Sequence, residues 1–350
     1  MFELLSCLLV SNSRYREFAV HHPEALERRV VIGLAMFLGF CVTAHAREIT
    51  VCKQGCEHKV INSAIAAAAS GDTVSIGPGT YFENVVISNK NLTVTGYSED
   101  YTVIDGGFQG ATLSINGSSP SQNTVNLIKL TVTHGSASGV VIDGATVSLQ
   151  KVVVISNLSA SNGAGPGGGI NAFNSVIHIT NSIIAHNRAP AGEGGGVFGG
   201  GNGALSPSSF TIVSSILSGN EAYSGGGISL EGASTATLTS SSITGNSAVD
   251  GGGAYLGGFR RVAVEVCAFL TMNGSTIADN HAAGSGGGVY VGLELPQGTF
   301  NNSFIVGNSA EVAGGGISLS EDGSVTLSNT LLTGNTPKNC NDPFGSNCPR

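Results

Sequence analysis

The sequence predicts an all-β protein: a single-stranded right-handed parallel β-helix, a solenoid of about ten coils with a short capping helix at its N-terminal end. Three observations predict it. Glycine triplets begin at Gly167, Gly194, Gly225, Gly251, Gly286 and Gly314, at spacings of 27, 31, 26, 35 and 28 residues. An Asn set three residues after an aliphatic residue precedes each triplet: Asn157, Asn187, Asn220, Asn246, Asn280 and Asn308, with Asn335 as a further copy that no triplet follows. Between these marks lie segments such as "GISL", "ATLT" and "SSIT", rich in β-branched and small residues, and none has the apolar spacing of a helix. Strands this short cannot bury a face alone, whereas stacking unit on unit buries a continuous core. Parallel crossovers are overwhelmingly right-handed, which sets the hand of the coil.

The elements follow in order. Residues 1–46 read as a signal peptide with an N-terminal extension: Arg28 and Arg29, the apolar run "VVIGLAMFLGFCV", then "AHA" at Ala44 to Ala46, with cleavage expected after Ala46. The apolar run is short for a membrane span, and no other run is longer. The β-helix domain is placed at 47–335. Within it, 47–73 is the N-terminal cap, because "VINSAIAAAASGD" carries the helical pattern Ile61, Ala64, Ile65, Ala68 and stops at Gly71. Strand-like segments such as "DTVSI", "NLTVTG" and "VNLIKLTV" fill the stretch to 150, and the Gly-Gly-Gly/Asn repeats run over 151–335. The triplets are expected at sharp bends that need positive φ, Gly252 among them. The Asn column is expected to take left-handed backbone and to pass amide hydrogen bonds from coil to coil. A second column lies six residues earlier, at Asn181, Ser214, Ser240, Asn302 and Asn329. The Pro- and Cys-containing tail 336–350 is expected to cover the far end.

Composition excludes several classes. Gly is 52 of 350 residues and only 11% are charged, yet 41% are hydrophobic, which is not the composition of a disordered chain. Setting aside the four basic and four acidic residues of 1–46 leaves 11 Lys+Arg against 19 Asp+Glu, a net charge of −8. A nucleic-acid partner is excluded by that balance, and an acidic polymer would need a bridging cation. Residues 47–350 hold five cysteines, and the pairs Cys52/Cys56 and Cys340/Cys348 each close a short loop. Export permits disulfides, and the spacing is unlike that of a zinc site. Cys267 is left outside both pairs.

A family resemblance adds to this reading. "VCKQGCEHKVINSAIAAAASGDTVSIGPGTYFENVVISNKNLTVTG", followed by "TVIDGG", resembles the opening of secreted right-handed β-helix proteins of the pectin-lyase-like superfamily. The repeats are similar, more loosely, to those of polymorphic outer membrane proteins, with Gly-Gly-Gly and an aliphatic residue where those carry Gly-Gly-Ala-Ile and Phe-x-x-Asn. The resemblance spans nearly all of 47–340. It implies the fold, and it implies a set of enzyme marks that are checkable. The chain has no Asp-Asp, Gly-His-Gly or Arg-Ile-Lys of the polygalacturonase-like hydrolases. "GTYFE" at Gly79 to Glu83 matches an early pectinesterase motif, but the Trp and Gln-Asp of the later motifs are absent. Tyr81 and Glu83 are therefore read as closing a bend.

The candidate binding residues lie in the loops after the turn Asn: Arg188, Glu193, Glu221, Tyr223 and Asp250. Glu193, Glu221 and Asp250 sit on successive coils, where an acidic strip would hold calcium through oxygen ligands. Calcium is the only cofactor entertained, and no other metal or organic group is called for. A second candidate group is Asp105, His134, Asp143 and Lys151. Two functional readings follow. The first is a non-catalytic exported or cell-surface module contacting glycans or surface molecules. The second is a polysaccharide lyase or hydrolase with an atypical site, built on Arg188 with Glu193 and Glu221, or on Arg260 and Arg261 with Glu265.

Overall fold

The computed structural model describes residues 46–159, 167–200, 207–261, 264–343 and 348. The leader assigned to 1–46 lies outside them except for Ala46. The chain winds as a right-handed parallel β-helix. One coil shows the plan. Ile228–Leu230 belongs to a ten-stranded middle sheet, Thr235–Thr239 and Ser242–Thr244 to a nineteen-stranded long sheet, and Ser247–Ala248 to a five-stranded short sheet. The next coil repeats this in register, with Ile228 opposite Ala254 and Thr235 opposite Phe269. The middle sheet takes one strand from each coil, so its ten strands match the expected number of coils.

Alternation within each strand sends every second side chain inward. In the long sheet Leu127, Leu149, Ile179, Ile212, Leu238, Met272 and Phe300 stack in one column, and all are buried. Burying side chains of this size stabilises by roughly 1.5–3 kcal/mol each. In the short sheet the inward column is Ala189, Ala222, Ala248, Ala282 and Ala310, where only a methyl group fits.

The turn Asn residues form a continuous ladder. Asn220 illustrates it. Its Nδ2 donates to Asn246 Oδ1 at 2.9 Å and to the Ile184 carbonyl at 2.9 Å. Its Oδ1 accepts from the backbone N–H of Asn187 at 3.0 Å and from Asn187 Nδ2 at 3.1 Å. The same side-chain links join Asn157 to Asn187, Asn246 to Asn280, Asn280 to Asn308 and Asn308 to Asn335, and Asn339 Oδ1 accepts at the end. Every buried amide in the run is thereby satisfied. The expected left-handed backbone sits one residue earlier than the sequence reading placed it. His186, Gly219, Gly245, Asp279 and Gly307 carry φ between 53° and 67°, not the Asn residues themselves. The second column is left-handed as expected: Asn181, Ser214, Ser240, Asn302 and Asn329 have φ of 49–50° and bend the long sheet. Directly after it runs a hydroxyl ladder that the sequence reading did not single out. Ser182, Ser215, Ser241, Ser275 and Ser303 each accept the backbone N–H of the preceding coil's equivalent residue, beginning with that of Val152.

The glycine triplets need correction in one respect. Only the first glycine takes positive φ, as at Gly251 with φ 66°. Gly252 and Gly253 are required for space. A Cβ on Gly252 would lie 2.3 Å from the His281 carbonyl oxygen and 2.6 Å from that of Gly287, and one on Gly253 would lie 2.5 Å from that of Gly288. The corners of successive coils are packed backbone on backbone.

The ends are closed by different means. The helix Ile61–Ala67 buries Ile61, Ala64 and Ile65 over the first coil. Glu83 of "GTYFE" accepts the backbone N–H groups of Ile61 at 2.7 Å and Asn62 at 3.0 Å, so its carboxylate caps the helix N-terminus. Lys90 Nζ donates to the carbonyls of Ile65 and Ala68 at the other end, 2.7 and 2.8 Å away. Tyr81 is buried and donates to the Gly77 carbonyl at 2.9 Å. The motif is thus occupied by the cap. At the far end Cys340–Asn341 adds the last strand to the middle sheet, and Cys340 and Cys348 pack against the core. Cover there is partial: an open cavity of about 1170 Å³ is lined by Leu327, Leu331, Leu332 and both cysteines. Cys52–Cys56 and Cys340–Cys348 are disulfides, and half-buried Cys267 belongs to neither.

Two stability measurements check these accounts. Asn246→Leu keeps the volume but strands the Asn220 backbone N–H and takes a donor from the Leu217 carbonyl, while Asn220 Nδ2 keeps its bond to the Ile184 carbonyl. Chemical denaturation should therefore show a loss of about 2–5 kcal/mol, taking roughly 1–3 for each orphaned buried group. Gly245→Ala and Gly252→Ala separate conformation from space. Gly245 has φ 61° and nothing within 4 Å of its Cβ, so alanine should cost about 1–2 kcal/mol there, against about 3 kcal/mol or more at Gly252. Equal losses at the two positions would overturn the steric account.

Candidate functional site

The middle sheet presents one outward residue per coil at its centre. Ile228 and Leu230 point into the core with no exposure, so Ser229 between them faces out. Strand register aligns Asn171, Phe198, Ser229, Tyr255, Tyr290 and Ser318 in one outward column. Tyr255 and Tyr290 stack with ring centroids 5.5 Å apart and 7° between planes. The rings lean along their strands over glycines. A Cβ on Gly257 would meet Tyr255 Cε1 at 3.0 Å, and one on Gly200 would meet Phe198 Cε1 at 2.5 Å. Glycine here makes a bed for an aromatic ring.

A second outward position follows two residues on, and Glu231 occupies it. Glu231 and Glu193 share a side-chain hydrogen bond, which requires a proton on one of them. Burial, then that hydrogen bond, then the charge of Glu193 push the Glu231 carboxyl up to about 8. Tyr255 is pushed up to about 12, chiefly by burial and then by Tyr290, Glu193, Glu231 and Asp250. The Tyr290 hydroxyl is raised by burial and by Asp250. Asp250 Oδ1 accepts the Ser285 N–H at 2.8 Å, which fixes that carboxylate at the corner leading into the middle sheet. Two buried polar atoms of the column have no hydrogen-bond partner: Ser229 Oγ and Asn171 Oδ1.

The candidate residues read from the sequence divide into two places. Glu193 and Asp250 belong to this corner. Arg188 and Glu221 lie at the start of the short-sheet strands, one of which ends at Glu193, and Nε and Nη2 of Arg188 donate to the two carboxylate oxygens of Glu221, each at 2.9 Å. The hydrogen bond to Glu221, and then its charge, raise the Arg188 guanidinium above its ordinary value. Tyr223 is 54% exposed on the same strand as Glu221. The acidic strip of Glu193, Glu221 and Asp250 therefore does not form: Arg188 engages one member and Glu231 another. Among the described residues, no group of three or more His, Cys, Asp or Glu is arranged to hold a metal ion. In the second group, His134 Nδ1 meets Asp105 Oδ2 at 2.9 Å, while Asp143 lies in the middle sheet beside Asn116 and Phe173, and Lys151 is a long-sheet bend residue with φ 54°. Arg260 and Glu265 are paired across a short antiparallel hairpin, Phe259–Arg261 with Val264–Val266.

Glu231, Tyr255, Tyr290 and Ser229 were not singled out by the sequence reading. The signal was present, because each column residue is the fifth counted from the start of its glycine triplet. The contact between Glu193 and Glu231 had no such signal, since it joins the residue before one glycine triplet to the residue after the middle-sheet strand of the neighbouring coil.

The family comparison agrees with this architecture. The family described as right handed beta helix region matches residues 111–341. A search of the curated proteins finds no match. Among solved structures, pectin methylesterase PemA from Erwinia chrysanthemi is 14% identical, with 67% of this chain and 80% of that chain covered and a TM-score of 0.44. Pectin methylesterase from Aspergillus niger is 14% identical over 81% of this chain and 84% of that one, TM-score 0.43. Pectin methylesterase from carrot is 12% identical over 83% of each, TM-score 0.43.

The carboxyl pair makes stability pH-dependent in a defined direction. The folded chain holds a proton on Glu231 to about pH 8, whereas the ordinary carboxyl value is 4.5, so the contribution is complete below 4.5 and lost as pH rises to 8. Melting temperatures of the protein and of Glu231→Gln, measured across that range, should diverge, with the variant gaining relative stability at the alkaline end. Parallel curves would show that the pair carries no such linkage.

Proposed function

The chain belongs to the right-handed β-helix family, and from that premise we propose that it is an exported, non-catalytic module that binds carbohydrate on the outer face of its middle sheet. The observation that carries this reading is the Tyr255–Tyr290 pair, parallel rings on adjacent coils with a carboxyl pair beside them. A sugar offers an apolar C–H face and a rim of hydroxyl groups. An aromatic ring takes the first, and carboxyl oxygens and Tyr hydroxyls take the second. Export is supported by the leader-like sequence of 1–46 and by the two disulfides. No helix among the described residues is long and apolar enough to cross a membrane.

The catalytic alternative is weaker on two physical grounds. A lyase needs a base able to lose its proton, and Arg188 is held protonated by Glu221. A hydrolase keeps its two carboxyl groups roughly 5–9.5 Å apart to admit the sugar or a water, whereas Glu193 and Glu231 are in direct hydrogen bond.

A glycan array followed by calorimetry on the best ligands is the test. Tyr290→Ala should weaken binding about tenfold or more, the loss of one stacked ring contact and its burial, while Tyr223→Ala on the short sheet leaves it unchanged. Release of reducing ends or unsaturated products that disappears in Glu231→Gln would replace this reading with the enzymatic one.

A further inference from the structure

The outer face of the middle sheet is selective in charge as well as in shape. Glu231 follows Leu230, which is one coil from Gly257 under the Tyr255 ring. Glu193 and Asp250 align with Ser224 at the corner before the middle sheet, and the charges of Glu193, Glu231 and Asp250 all act on Tyr255. Among the described residues, the titratable groups acting on that ring are these three and Tyr290, all of them acids. Ser229 stands between Phe198 and Tyr255, fully buried, on the same face of the strand as Glu231, and its Oγ has no partner. A buried hydroxyl left without a hydrogen bond costs free energy that a ligand group recovers on arrival. Further along the column Asn171 Oδ1, also buried, is a second acceptor without a donor. Asn171 Oδ1 lacks a donor, Ser229 Oγ can accept one as well as donate its own proton, and the carboxyl groups favour positive charge beside aromatic rings whose faces attract cations. Residues 47–350 carry 11 basic against 19 acidic side chains, so the wider field favours the approach of a cation and opposes a uronate.

We propose that Glu193, Glu231 and Asp250, with Ser229 and the Tyr255–Tyr290 rings, form a subsite for a sugar bearing a protonated amine. The inference rests on the carbohydrate reading above and names the class of sugar. An ammonium group brings three donors and a positive charge to a place that has acceptors and negative charge. An N-acetyl group removes the charge and two of the donors. A uronic acid adds a carboxylate next to two others and a protonated carboxyl group.

Binding of three hexasaccharides to the intact protein, followed by calorimetry, is the test: glucosamine, N-acetylglucosamine and galacturonate oligomers at one pH and low salt. The glucosamine oligomer should bind at least about tenfold tighter than the acetylated one, and galacturonate should not compete. In the double variant Glu193→Gln, Glu231→Gln the two amino-sugar oligomers should bind alike, with the fold checked by circular dichroism. Equal or tighter binding of the acetylated or uronate oligomer by the unmodified protein overturns the proposal, and so does a preference that survives in the double variant. If no oligosaccharide binds, the carbohydrate reading falls by itself. Hexylamine then decides the charge selectivity: chemical-shift changes at Tyr255 and Tyr290 that vanish in the double variant uphold a cation subsite, and their absence overturns it.

Discussion

Each residue of the middle and long sheets lies about 4.8 Å below its counterpart on the next coil, and the pairing there is in register through the repeats. A position is therefore filled by what can stack on a copy of itself. Leu and Ile do so by dispersion and burial, Ala where the wall is close, and glycine where backbone meets backbone. Asn is the demanding case. It is buried at the turn, where an unpaired amide would cost about 1–3 kcal/mol, and it is tolerated because the coil above supplies the acceptor and the coil below supplies the donors. The polar interior of the turn is stable only as a stack.

The same constraint separates scaffold from surface. Inside, each column must agree with itself from coil to coil. Outside, neighbours need only avoid conflict, and the outer column of the middle sheet changes character from Asn171 and Phe198 to Ser229, Tyr255 and Tyr290. Ser229 Oγ and Asn171 Oδ1, which lack hydrogen-bond partners, and the raised carboxyl of Glu231 lie on that face. Ladder groups such as Asn220 and Asn246 are fully paired.

The architecture was legible because periodicity reports stacking directly. The triplets located the corners, the turn Asn residues located the ladder, and Ile61, Ala64 and Ile65 marked the helix that covers the first coil. What was misread was finer than the period. The left-handed residue precedes each Asn, and two of the three corner glycines serve space, a distinction visible only once the carbonyl of the next coil is placed. The site was half legible. Glu193 and Asp250 were read as candidates, but Arg188 and Glu221 were joined to them by proximity in sequence, and those two lie at the far end of the short-sheet strands, paired with each other. Glu231 escaped notice because its partner is on a neighbouring coil, and contacts between coils depend on register that loop lengths conceal.

Those loop lengths carry a consequence of their own. The unit from Gly251 to Gly286 is 35 residues, against 26 for the unit before it, yet Tyr255 still faces Tyr290 and Asn246 still meets Asn280. The surplus includes the Phe259–Val266 hairpin, which leaves the coil after the middle-sheet strand and returns before Phe269 enters the long sheet. Growth of the chain is quantised along the axis, where only a whole coil can be added or removed, and free at corners such as this one. The corner follows Glu231 and Gly257, at the rim of the carboxyl pair and the tyrosine rings. What shelters or exposes that face can thus be rewritten by insertion at this junction, and the amide ladder never registers the change.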